Sequence, residues 1–258
     1  MTTAHPSVVP TKTDRDESFP VAWLLPAASR APVLAFYAFA RTADDIADSP
    51  DLRPEEKLAR LQALEEAGLP HPLAADLLVA FRRDAHGPAC TTWGDLMAYC
   101  RVSAMPVGRF LLDVCGETPG DAVLRASDAL CAALQVLNHV QDCGRDWRGL
   151  RRLYVPSVWL AEAGVTERAL EEPRCPPALR QVLDRVLAHA DGLLREAAPL
   201  PRLVRHRRLR MQAAATLSLA HALRRRLAVG DPLAGRVKPS RADWAAAFVR
   251  AVRVGMRP

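Results

Sequence analysis

Asp44 and Asp48 stand four residues apart in Phe36-Tyr-Ala-Phe-Ala-Arg-Thr-Ala-Asp-Asp-Ile-Ala-Asp48, a stretch with no helix breaker. At helical spacing they share a face, and Arg41, three residues before Asp44, lies on that side too. The pattern returns in Leu137-Asn-His-Val-Gln-Asp-Cys-Gly-Arg-Asp146, where Asn138, Asp142 and Asp146 recur every fourth residue. Carboxylate and amide oxygens on two otherwise apolar helices are the donors a hard divalent cation such as Mg2+ takes, typically through one or two carboxylates plus substrate phosphates. Neither stripe offers nitrogen or sulfur, which argues against zinc. His139 is expected to point elsewhere as a hydrogen-bonded structural residue. Asp45, about 100° from Asp44, is expected behind it or outward. With Arg41 and the Arg151/Arg152 pair to hold further phosphate oxygens, the implied chemistry is departure of a diphosphate, leaving a carbocation in an apolar chamber. Either motif alone would fit a solvated helix face, where an ion pair is worth under about 1 kcal/mol. Their recurrence on two apolar helices favours the cation.

The elements that must position these groups read as helices. Residues 1–17 form a polar, Pro-containing tail expected to be flexible, and 18–258 a single helical domain. Pro32 suits a first helical turn, so the first motif's helix is expected from there to Pro50. Glu55–Ala67 is amphipathic, with Leu58, Leu61 and Leu64 inward, and Leu73–Asp84 is a second short helix. Thr91 or Thr92, helped by Asp95, caps a helix reaching towards Gly116. Met105-Pro-Val-Gly108 must interrupt it, because Pro and Gly cost roughly 3 and 1 kcal/mol inside a helix. Asp121–Trp147 is one long helix carrying the second motif. An extended Leu153-Tyr-Val-Pro156 follows, then helices at 158–163, 166–172, 177–197 and 207–229. Ser240 caps the last, through Val254.

Composition narrows the classes. Half of the 258 residues are hydrophobic, strand formers are few, and no repeat period or Rossmann fingerprint occurs. The net charge of +6 is carried almost wholly by arginine, and aromatic residues make up only 5%. With no stacking platform, nucleic acid is not an expected partner. The six cysteines form no CxxC or zinc spacing and read as buried free thiols of a reducing cytoplasm. No run of eighteen apolar residues or signal segment is present. The basic run Arg202–Arg210 reads first as a solvated face and second as a contact for anionic headgroups; the expected location is cytoplasmic, with peripheral contact at the inner membrane face as the alternative.

At these residues the chain resembles the squalene/phytoene synthase family, the head-to-head prenyl diphosphate synthases. Within it the likeness is greatest to the group that makes hydroxysqualene for hopanoid biosynthesis. The resemblance covers nearly the whole chain. It rests on Ser18-Phe-Pro-Val-Ala22 with Leu24-Leu-Pro26, on the two acidic stretches, on Tyr99-Cys-Arg-Val-Ser-Ala-Met-Pro-Val-Gly-Arg109, and on Arg152-Leu-Tyr-Val-Pro156.

That resemblance implies an all-α bundle of roughly ten helices around a central cavity, the isoprenoid synthase fold. It implies Mg2+ held by Asp44, Asp48, Asn138, Asp142 and Asp146, the four aspartates being catalytic. It implies a prenyl diphosphate held by Tyr37, Arg41, Gln135, Arg152, Tyr154 and Arg236, and a kink at 106–108 that lines the substrate chamber. The reaction implied is Mg2+-dependent ionisation of presqualene diphosphate, rearrangement and capture by water, with no NADPH. Neighbouring enzymes of the pathway are the expected protein partners. The rivals are a prenyltransferase making presqualene diphosphate, squalene or phytoene, and, from another class, an inert scaffold of the same fold, against which the retained aspartates argue. Two departures from the family pattern stand out. The lead-in Ala22-Trp-Leu-Leu-Pro26 is one residue short and carries Trp23, and Arg145 stands where an acid is common, so that position is not counted as a ligand.

Overall fold

The computed structural model describes residues 27–87 and 89–256. In order these form α1 (Ala27–Asp48), α2 (Pro54–Glu66), α3 (Ala74–Asp84), α4 (Trp93–Ser103), α5 (Met105–Val114) and α6 (Asp121–Leu150). Next come α7 (Ser157–Glu162), a 3-10 turn (Glu167–Glu171), α8 (Pro177–Ala197), α9 (Leu200–Leu203), α10 (Arg207–Val229) and α11 (Arg241–Gly255). The all-α expectation holds among the described residues: extended pairing is confined to one isolated bridge, Ala89 with Leu153. The lead-in Ser18–Pro26, with Trp23, lies outside them.

α6 is the axis. Its 30 residues touch α4, α5, α8, α9, α10 and the 3-10 turn. Small residues make this possible: Ala126, Ala129, Ala132 and Ala133 are buried along it, and neighbouring helices approach closely where side chains are short. α1 packs on α5 through Phe36 and Phe110, whose rings stack with centroids 4.0 Å apart. His71 meets Phe110 edge-on at 5.0 Å.

Local signals explain most boundaries. Thr92 Oγ1 accepts from the Asp95 amide, and Asp95 accepts from the Thr92 amide at 2.8 Å, a reciprocal cap that starts α4. Ser240 and Asp243 repeat it at α11. The interruption expected at 105–108 is a one-residue break at Ala104 (φ −127°, ψ −44°). Pro106 is the second residue of α5, where its missing N–H leaves no bond unmade.

Two boundaries differ from expectation. α1 begins at least five residues before Pro32, which sits inside the helix. The carbonyl it leaves without a helical donor is that of Ala28, and both residues are exposed, so the carbonyl is open to solvent. α9 was not anticipated; four residues with Pro199 before them and Pro201 among them carry no periodicity to read.

Candidate active site

The two acidic stripes meet. Asp44 and Asp48 of α1 and Asn138, Asp142 and Asp146 of α6 line one cavity of about 640 Å³. Tyr37, Arg41, Gln135, Arg152 and Tyr154 line it too. Arg236, on the loop before α11, does not line it, but its Nε lies 3.5 Å from Asp142 Oδ1. That loop is fastened to α6. The Gln141 amide donates to the Val237 carbonyl, and Leu233 packs so near Gly144 that a Cβ there would stand 2.6 Å from its Cδ2. At the loop's start, Asp231 accepts from the Cys175, Leu233 and Ala234 amides.

Arginines stand beside the acids. Arg41 Nη1 is 3.1 Å from Asp44 Oδ2, Arg145 Nη2 is 2.8 Å from Asp142 Oδ2, and Arg152 Nη1 is 2.5 Å from Asp48 Oδ1. Asp142 is half-buried, and desolvation raises its pKa despite the pull of Arg145 and Arg236. Asp45 does not line the cavity; its Oδ1 lies 4.0 Å from Arg41 Nη2. Of the Arg151/Arg152 pair only Arg152 enters. Arg151 takes the left-handed conformation (φ 52°) that ends α6, so the two side chains diverge, and Arg151 pairs with Glu171 at 2.7 Å.

Arg152 is buried and ties three segments together. Besides Asp48 it donates to the Ala47 carbonyl at 3.0 Å and to the Asp84 carbonyl at 3.2 Å, joining the C-terminal ends of α1 and α3. Burial works against its charge, but Asp84, Tyr154 and Asp48 more than offset that and its pKa rises.

His139 corrects the sequence reading. It lies three residues before Asp142 and seven before Asp146, hence on their stripe, and it lines the cavity. Its ring stacks on Tyr154 at 3.7 Å, Nδ1 lies 4.0 Å from Asp146 Oδ2, and Nε2 is 3.2 Å from Gln135 Nε2. Nitrogen is therefore present at the site. Asp84 was missed altogether. Buried under the cavity, it accepts from Tyr99 Oη at 2.7 Å and Tyr154 Oη at 3.0 Å. Burial raises its pKa, against the opposing effect of Arg152 and the two hydroxyls.

The residues fit Mg2+. The donors expected to hold it are oxygens, and Asn138 Oδ1 is buried with no hydrogen-bond partner. Among the described residues no three His, Cys, Asp or Glu side chains cluster tightly enough to enclose an ion alone.

Beside this polar cavity lies an apolar pocket of about 150 Å³. Cys131 and Leu134 of α6 line it, one turn from Gln135 and Asn138, and Val107, Gly108 and Leu111 of α5 face them. Of the expected lining at 106–108, Val107 and Gly108 border this pocket and Pro106 does not.

A helical bundle that gathers acids from two helices and arginines from several segments around one cavity, with an apolar pocket beside it, defines a class of proteins built to hold a polyanion attached to a greasy body. Residues 12–67 and 62–243 match the squalene/phytoene synthase family. A hydroxysqualene synthase of Rhodopseudomonas palustris is 41% identical over 248 residues, which is 88% of this chain and 84% of that protein. The crystal structure of squalene synthase HpnC from Alicyclobacillus acidocaldarius superposes with a TM-score of 0.70 at 32% identity, over 80% of this chain and 85% of the other. That of a dehydrosqualene synthase in complex with ligand has a TM-score of 0.69 at 23% identity, over 89% and 88%, a likeness of fold. The chain belongs to the squalene/phytoene synthase family.

Proposed function

We propose that this protein is a hydroxysqualene synthase, a carbon–oxygen lyase that converts presqualene diphosphate and water to hydroxysqualene and diphosphate in hopanoid biosynthesis. The observation that carries the reading is the convergence of both acidic stripes, the arginines and the tyrosines on one cavity with an apolar pocket alongside. The 41% identity to a relative of that name supports the choice of reaction.

In this reading Asp44, Asp48, Asn138, Asp142 and Asp146 would hold Mg2+, which when bound supplies positive charge against the departing diphosphate. The rest falls to the chain's own groups. Without substrate, Arg41, Arg145, Arg152 and Arg236 lie beside carboxylates. Diphosphate entry lets them trade carboxylate for phosphate oxygens, and their charge favours the anion that forms as the carbon–oxygen bond breaks. Tyr37 and Gln135 contribute polar hydrogens along the same wall, while Tyr154 is held by Asp84 and orients His139. The apolar pocket, at about 150 Å³, has room for only part of the hydrocarbon, and its lining would shield the cation there from early quenching. Water then adds to the rearranged cation, and the proton it sheds passes to the released diphosphate.

Incubation with presqualene diphosphate and Mg2+, without NADPH, is expected to give hydroxysqualene by mass spectrometry. Squalene formed only with NADPH, or no turnover, would overturn the proposal. Farnesyl diphosphate supplied alone is expected to remain unconsumed; its conversion would favour the prenyltransferase reading.

A further inference from the structure

We infer that Arg145 is a resident counter-ion that keeps the second acidic stripe closed to a divalent ion until a diphosphate arrives and takes the arginine over. The inference rests on the reading that this stripe holds the cation; what it adds is the order in which the cavity is loaded.

Arg145 stands three residues after Asp142 and one before Asp146, so its long side chain can lie across the stripe between the two carboxylates. Its Nη2 is 2.8 Å from Asp142 Oδ2, and its Nε is 3.9 Å from Asp146 Oδ1. Arg236 Nε faces the other Asp142 oxygen at 3.5 Å, and His139 Nδ1 the other Asp146 oxygen at 4.0 Å. Each of the four carboxylate oxygens therefore has a nitrogen group in front of it. A hard cation needs these same oxygens.

The nitrogens differ in how firmly they are held. His139 is buried, with its ring stacked on Tyr154 at 3.7 Å. Arg236 belongs to the loop that Gln141 fastens to α6. Arg145 has no such anchor: among the described residues its hydrogen-bond and ion-pair partners are Asp142 and Asp146. Its side chain is 58% exposed, against 6% for Arg152, 11% for Arg41 and 30% for Arg236. An exposed ion pair holds weakly, so Arg145 can change partners without disturbing the packing of α6.

Its charge still matters while it stays. A guanidinium a few ångströms from a divalent ion opposes that ion by about tenfold in affinity even at the dielectric of water. A diphosphate removes the opposition, because its oxygens match the planar fork of the guanidinium and carry more charge than one carboxylate. Arg145 lines the cavity, so an occupant there is within its reach. Cation and diphosphate then favour each other by the same factor, as linkage demands.

The test is equilibrium dialysis of the full chain against Mn2+, with and without inorganic diphosphate. The wild type is expected to bind Mn2+ weakly alone and at least about tenfold more tightly with diphosphate. Arg145→Ala should bind Mn2+ alone about tenfold more tightly than the wild type and gain correspondingly less from diphosphate. The same variant should bind diphosphate less well when no metal is present. A merely structural role would weaken both ligands, whereas this one moves them in opposite directions. Arg145→Lys, which keeps the charge, should stay close to the wild type. Arg125→Ala removes an exposed arginine about 30 Å away along the same helix and should change neither ligand. Mn2+ binding by Arg145→Ala no tighter than that of the wild type, or an equal gain in Arg125→Ala, would overturn the inference. Mn2+ bound by none of these proteins, even with diphosphate, would overturn it together with the cation site. The expected Mn2+ pattern without turnover of presqualene diphosphate would count against the reaction and leave the counter-ion standing.

Discussion

Arg152 Nη1 lies 2.5 Å from Asp48 Oδ1 across 104 residues of chain, and the same guanidinium holds the Ala47 carbonyl near the end of α1 and the Asp84 carbonyl at the end of α3. One planar cation thus sets the distance between the first acidic stripe and the wall that carries Tyr154.

Arg152→Lys should therefore be severe. An ammonium cannot reach Asp48 and two carbonyls together, and breaking a buried pair costs about 3–5 kcal/mol. Urea unfolding should show a loss towards the lower end of that range. Turnover of presqualene diphosphate should fall by more than about a hundredfold, the 2.7 kcal/mol equivalent of a misplaced charge at the reacting group.

Asp142→Ala with Asp146→Ala should abolish turnover while leaving helicity by circular dichroism intact, since α6 keeps its buried apolar face. EDTA should silence the wild type, and added Mg2+ should restore it. Full activity in the double variant would rule out the second stripe as the cation site.

Gly108→Ala reads the break before α5. Its Cβ would come within 2.5 Å of Ser127 Oγ and 2.6 Å of Cys131 Sγ, so α5 must move or both side chains must rotate. Overpacking of this kind costs about 1–3 kcal/mol, visible as a lower denaturation midpoint. The added methyl also intrudes on the apolar pocket, so KM for the diphosphate substrate should rise.

Acid sensitivity of α11 follows from Asp243, whose pKa is held down to about 2 chiefly by the Ser240 amide, then by the Ser240 hydroxyl and Arg226. A depressed carboxylate stabilises the fold above its unfolded value near 4, and that contribution disappears as pH falls towards 2. Asp243→Asn should lower Tm at neutral pH by about 2–4 °C, the effect of roughly 1 kcal/mol of lost capping. Melts recorded at decreasing pH should show the two proteins converging between pH 4 and 2.

The acidic stripes were legible because oxygen at every fourth position of an apolar helix has few other uses. The caps at Thr92 and Ser240 were legible because their partners lie three residues on. Asp84 was not, since it ends an ordinary amphipathic helix and its hydroxyl partners come from 15 and 70 residues away. His139 could have been read by counting back from Asp142 and Asp146 instead of judging it by its neighbour Asn138. Arg236 rested on resemblance alone. Nothing local announces that Gln141 will catch the Val237 carbonyl and swing that arginine over α6.

That catch has a consequence for synthesis. A chain leaving the ribosome emerges with both acidic stripes long before residues 230–240 exist to lean on them. Arg236 joins Asp142 only when that loop closes on α6, so a chain halted before residue 230 should grip a diphosphate less well than the folded protein.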